Sequence, residues 1–252
     1  MKRLVAFLMA LALLVPAALA ASEKYEGEGF ASAEAAIQAY VEAFNAGDVP
    51  GMLSTFAIET VAEHMDPVAY AQRVRAFVPN AAQALPVIDD YTRGLAAAKR
   101  MGELSTVLTQ QYLSYAWPAD HGSYEGMSVP LKEDLEIEAF YEGFAGSAVA
   151  EWPGQIAFAG LEPLAAISAD AAGYYDSESG LALREKILQS AGGDELFDGV
   201  ARVRILDADY LLFMECVRYG ERWYNFALGG LPGSAMGLPI NLGGLVPAGE
   251  LQ

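Results

Sequence analysis

The chain has 252 residues, 54% of them apolar, with 33 acidic against 15 basic side chains and a formal charge of -18. That length is enough for one large domain with a sizeable core, and the 11% aromatic content excludes a disordered acidic chain. The charge argues against a nucleic-acid partner, because a phosphate backbone needs clustered Lys and Arg. One cysteine excludes an internal disulfide or a multi-cysteine metal site, and the two histidines are His64 and His121.

Met1-Lys2-Arg3 is a basic start, Leu4 to Val15 is an unbroken apolar run, and Ala18-Leu19-Ala20 follows Pro16. That order of charge, short apolar core and small residues predicts a secretory signal over 1–20, cleaved near Ala20. The apolar run is too short for a permanent anchor, and no later stretch reaches the ~20 apolar residues of a membrane span. No cysteine follows the cut to carry an acyl chain. The expected location is therefore outside the cell, with no transmembrane anchor after cleavage.

Ala33, Ile37, Tyr40, Val41 and Phe44 recur at helical spacing between a cap at Ser32 and a stop at Gly47. Asp48 caps a shorter helix with Met52, Leu53 and Phe56. Asp66-Pro67 opens another, whose stripe of Tyr70, Val74, Phe77 and Val78 runs to Pro79. The longest pattern, from about Pro86 to Trp117, predicts one helix that contains Gly94 and Gly102. A short helix is expected over Leu135–Phe144, a strand over Gln155–Leu161, and a helix over Ser179–Ala191 before Gly192-Gly193. The period then changes from 3.6 to 2. Val200–Leu206, Tyr210–Tyr219 and Arg222–Leu228 predict a consecutive antiparallel meander, with Gly220-Glu221 as a type II′ turn. The glycine-rich stretch after Leu228 is expected to be extended or loosely packed. The predicted organisation is a signal over 1–20, one α+β domain over 21–230 with a helical insertion at about 79–153, and a Gly/Pro-rich tail over 231–252.

Two stretches carry a resemblance. Tyr25-Glu-Gly-Glu-Gly-Phe-Ala-Ser-Ala-Glu-Ala-Ala continues through Ala39-Tyr40 and Gly47-Asp48 into Met52-Leu-Ser-Thr-Phe-Ala-Ile-Glu-Thr60. Val217-Arg-Tyr-Gly-Glu-Arg-Trp-Tyr224 leads into Leu228-Gly-Gly230. Together they resemble a group of exported proteins and lipoproteins from Gram-positive gut-type bacteria. The order of elements also resembles the nuclear transport factor 2-like, or SnoaL-like, superfamily. That resemblance implies N-terminal helices packed on a curved C-terminal antiparallel sheet, a cone with a cavity. It carries fold and not function, because that superfamily hosts isomerases, dehydratases and binding modules alike.

Hairpin pairs counted outward from Gly220-Glu221 set Val217 opposite Tyr224 and Glu215 opposite Phe226. Phe213, Glu215, Val217, Tyr219, Tyr224 and Phe226 then share a face, roofed by Tyr40, Val41 and Phe44. The candidate ligand-binding set is Tyr40, Phe44, Phe213, Glu215, Tyr219, Tyr224 and Phe226. Glu215 is the single catalytic candidate, since a carboxyl among aromatics can hold a proton near neutrality. The opposing reading places the preceding turn at Ala208-Asp209, which sets Arg202 opposite Glu215 as a cross-strand ion pair. Paired strand charges are ordinary, so that pair is the expectation taken forward.

His64 reads as part of a helix-capping segment and His121 as a turn residue. Cys216 reads as a buried, inert thiol in mid-strand. Tyr112, Tyr115, Trp117 and Tyr124 read as a core rim that could also stack on a ring ligand. Asp176 to Gly180 fails as a calcium loop, because Ile187 stands where a bidentate Glu is required. No motif implies a metal or an organic cofactor. The expected function is a secreted binding or interaction module for a small molecule or envelope protein, able to dimerise. The alternative is an isomerase- or dehydratase-like enzyme that uses a cavity carboxylate.

Overall fold

The computed structural model describes residues 24–75, 87–116, 137–139, 142, 155–238 and 243–251. Residues 1–20, where a signal is expected, lie outside the described residues with His121, Trp117 and Tyr124, as do the side chains of Tyr112 and Tyr115. Of the expected Leu135–Phe144 helix, residues 137–139 and 142 are described and are helical, and the rest lie outside the described residues.

The chain is α+β, with helices before and after a mainly antiparallel sheet. Helix α1 (Ala33–Asn45) starts where Ser32 Oγ accepts the Ala35 N–H at 3.1 Å. Asp48 caps α2 (Val49–Ser54) through the Gly51 N–H at 3.0 Å. After α3 (Glu59–His64), Asp66 caps α4 (Pro67–Val74) by accepting from Val68 and Ala69. That helix ends at Val74, short of the expected Pro79, as Arg75 turns into the left-handed region. Helix α5 (Asp90–Ala116) runs through Gly94 and Gly102 and buries Ala97, Leu104 and Leu108.

Strand β1 (Ile156–Glu162) leads to the short α6 (Leu164–Ile167), α7 (Ala169–Tyr175) and α8 (Glu178–Ala191). Ser177 caps α8 and Gly192 ends it at φ +69°, so the Asp176–Gly180 stretch is a helix start. Then come β2 (Glu195–Ile205), β3 (Ala208–Tyr219) and β4 (Arg222–Leu228). The glycine-rich tail is not loose as expected. It forms α9 (Gly230–Ala235) and β5 (Leu245–Pro247) and buries Leu231, Leu245 and Val246.

The strand order is β1-β2-β3-β4, and β5 pairs with the first half of β3, whose second half pairs with β4. At the junction, Phe213 N–H donates to Gly244 O and Gly229 N–H to Phe213 O, both at 2.7 Å. The outer edge of β4 is also covered. Phe30 pairs with Trp223 and Phe56 bridges Asn225, so the ladder is covered at those two positions.

Both faces of the central strand are buried, without a break from Leu211 to Val217. Leu212, Met214 and Cys216 join Ala201, Val203 and Ile205 beneath Ile37, Tyr40, Val41 and Phe44 of α1. On the opposite face, Phe213 and Leu211 pack with Val200 and Val246, and Val217 packs with Tyr224, Ala57 and Val61. The expected roof is therefore on the wrong side. Tyr40 and Phe44 cover the even-numbered β3 residues, whereas Glu215 points into the layer formed by α4, α7, α8 and α9.

Candidate functional site

Two carboxylic acids face each other across the central strand pair. The turn between β2 and β3 is Leu206-Asp207, with Ile205 opposite Ala208, and this sets Asp198 directly opposite Glu215. Arg202 lies opposite Leu211 instead. Its guanidinium binds Glu162, with Asp209 at 3.5 Å, so the expected Arg202–Glu215 ion pair does not form. The reason is a turn four residues' worth of register away from Ala208-Asp209. Both registers have the same parity, so Arg202 keeps its face and changes its partner.

Like charges opposite one another in a ladder repel, so each carboxyl needs its own donors. Asp198 Oδ2 accepts from the Tyr175 hydroxyl and from Arg184 Nε, the latter at 3.1 Å. The Arg184 guanidinium lies over the Tyr175 ring, 4.6 Å from its centroid. Asp198 Oδ1 is buried without a partner among the described residues. Glu215, only 4% exposed, accepts the Leu231 N–H on Oε1 at 2.7 Å. Gly230 makes that approach possible: it sits at φ +53°, and a Cβ there would lie 2.3 Å from Glu215 Cγ.

Burial, and then the charge of Asp198, push the Glu215 carboxyl up to about 7, with the Leu231 N–H pulling the other way. Burial also raises Asp198, opposed by Tyr175, Arg184 and Glu215. With two donors on Asp198 and one backbone N–H on Glu215, the pair's shared proton belongs on Glu215. Burial raises Tyr175 too, so its hydroxyl remains a donor.

Glu215 also borders a cleft of about 610 Å³. Leu183 and Ile187 of α8, Leu228 of β4 and Ala235 of α9 give it apolar walls, and Arg73 of α4 and Ser234 add polar groups. Arg73 rests over the Tyr70 ring at 5.2 Å, and its Nε is buried without a hydrogen-bond partner among the described residues. Its charge acts on Glu215.

Of the seven expected ligand-binding residues, Glu215 alone lines this cleft. Tyr40 donates to Gln111 and meets Phe56 edge-on in the opposite layer, where it stacks on Phe44. Phe213 is fully buried beside Val200 and Val246. Val217 is opposite Tyr224 as the hairpin count requires, but a register shift between Glu215 and Cys216 leaves Phe226 unpaired and sets Ala227 opposite Glu215. Phe226 lies under Arg100, whose guanidinium takes the Phe226 carbonyl. Tyr219 donates to Ala191 O at 2.8 Å and packs between His64 and Tyr224. His64 thus ends α3 against an aromatic ring, with Nδ1 2.9 Å from Thr60 O. Cys216 is a buried free thiol 3.3 Å from Asn225 Oδ1, and burial raises its pKa. No cluster of three or more metal-ligating side chains occurs among the described residues.

Asp198, Tyr175, Arg184 and Arg73 come from four elements, and no spacing in the sequence ties them together. The turn at Leu206-Asp207, correctly placed, would have found Asp198 alone.

No protein-family model and no curated protein matches the chain. Among solved structures, the chain is similar to a cystatin-like protein from Ruminococcus gnavus ATCC 29149, at 14% identity and a TM-score of 0.39. The similarity covers 75% of this chain and 38% of that one, so the chain spans well under half of the neighbour's length.

Proposed function

We propose that the protein is an exported binding module that takes a small ligand in the cleft beside Glu215. The observation that carries this reading is a buried carboxyl on the wall of a cleft of about 610 Å³ with apolar sides. Such a cleft has the size and lining of a small-molecule site. Export rests on the Met1–Ala20 pattern and on the resemblance to exported proteins. No helix among the described residues is long and apolar enough to cross a membrane.

A fragment screen by amide NMR tests the cleft. Hits should shift Leu231, Ala227 and Ile187, and Ala235→Trp, which fills the space, should abolish those shifts. Hits that ignore Ala235→Trp would remove the reading. N-terminal sequencing of the protein recovered outside cells should begin at Ala21.

A second reading draws on the carboxyl pair. A proton held on Glu215 near neutrality is what an isomerase or dehydratase needs in a general acid–base. A bound ligand that takes up deuterium from solvent with wild type, and not with Glu215→Gln, would establish that enzyme. The binding reading expects ligand returned unchanged.

A further inference from the structure

We propose that the Glu215 cleft is a site for small carboxylates with an apolar tail, held by the Arg73 guanidinium and by a hydrogen bond donated from the Glu215 acid. This inference rests on the binding reading and names the ligand class.

Charge matching singles out an anion. Arg184 already serves Asp198 at 3.1 Å, which leaves Arg73 as the cleft's cation without an ion pair among the described residues. Its buried Nε lacks an acceptor. A guanidinium matches a carboxylate through parallel N–H bonds, so a ligand carboxylate supplies what Arg73 lacks. Glu215 has one oxygen engaged by Leu231, and as the neutral acid it has an O–H to give. A carboxylic acid facing a carboxylate forms a short charge-assisted bond. An ammonium ligand fits worse, since it would sit beside Arg73 and require both Glu215 and Asp198 to ionise in a buried place. The apolar walls of Leu183, Ile187, Leu228 and Ala235 then receive the tail.

Several charged or titratable groups bear on Glu215. Asp198 lies across from it, Arg73 acts from α4, and Tyr175, Arg100 and the neighbouring Cys216 interact with it from α7, α5 and β3, while Arg184 of α8 acts on Asp198. Helix α9 contributes no ionisable side chain. The carboxylate site is complete only while Glu215 holds its proton, so affinity should fall as pH rises through about 7. For one linked proton the loss approaches about tenfold per pH unit above that value.

The test uses hexanoate, hexylammonium and hexanol with the full chain, followed by titration of the Leu231 and Ala227 amides. Hexanoate should bind most tightly at about pH 6 and lose about tenfold by about pH 8. Arg73→Met should weaken it about tenfold or more, and Arg73→Lys should restore part of that. Glu215→Gln keeps a neutral donor, so it should retain hexanoate binding and flatten the pH dependence. Thermal melts confirm that each variant is folded. Tighter binding of hexylammonium or hexanol at the same amides would overturn the ligand class and leave the cleft a binding site. Silence of all three probes would overturn both. Hexanoate binding that ignores pH in wild type would remove Glu215 as the donor.

Discussion

Glu215 holds a proton in the folded chain that it gives up in the unfolded one. Its ordinary value is 4.5 and burial lifts it to about 7. Between those values the native state binds more protons than the unfolded state, so stability falls as pH rises through that window and levels off above it. The span is on the order of 3 kcal/mol. Glu215→Gln removes the titration while keeping the shape, so its melting temperature relative to wild type should climb from about pH 5 to about pH 8. A constant offset across that range would sink the idea of a retained proton. Asp198→Asn is not an equivalent change, because it strips Arg184 and Tyr175 of their shared acceptor.

At the scale of elements, the two β-turns behave differently although both have two central residues. Gly220 sits at φ +59° and suits a type II′ hairpin, as its sequence indicates. Leu206 occupies the corresponding place in the other turn at φ +54°, where a side chain is strained. Leu206→Gly should relieve that strain and raise stability by about 1 kcal/mol, net of the glycine's greater unfolded-state freedom. A lower denaturation midpoint in urea would show that Leu206 is not strained. This turn also explains what was legible. Helix caps at Ser32, Asp48 and Asp66 are local chemistry, and each stands where the sequence indicates. A leucine at a glycine position leaves no trace, so the strand register slips and Glu215 acquires the wrong partner. The face covered by α1 was equally hidden. Leu211 to Val217 is apolar on both sides apart from Glu215, and a strand buried twice loses the alternation that would mark its inner face. Asp198 belongs to a stretch, Glu195 to Gly199, that has little of a strand's composition.

For the whole molecule, the N-terminal segment acts as a clamp on the far end of the sheet. Glu26 is buried and accepts the Ile58 and Thr60 N–H groups at 2.7 and 2.9 Å. Glu59 answers by accepting from Tyr25 and Glu26 at 2.8 and 3.1 Å. Phe30 exchanges two backbone bonds with Trp223, at 2.8 and 2.9 Å. Phe30→Pro deletes one of these bonds and uncovers the β4 edge. The variant should lose about 1–3 kcal/mol of stability and self-associate through that edge. Light scattering that shows the same mass as wild type at rising concentration would remove the edge-protection role.

Phe30 and Trp223 are separated by most of the chain. Strands β2, β3 and β4 join through two-residue turns and close over short distances, so they can form early, whereas the clamp must wait for almost the last strand to be synthesised. A nascent chain therefore carries its N-terminal pairing segment unpaired until the sheet's final hairpin exists. The β4 edge is open only between closure of its hairpin and docking of Phe30, and crowding among unfinished copies would be most damaging in that interval.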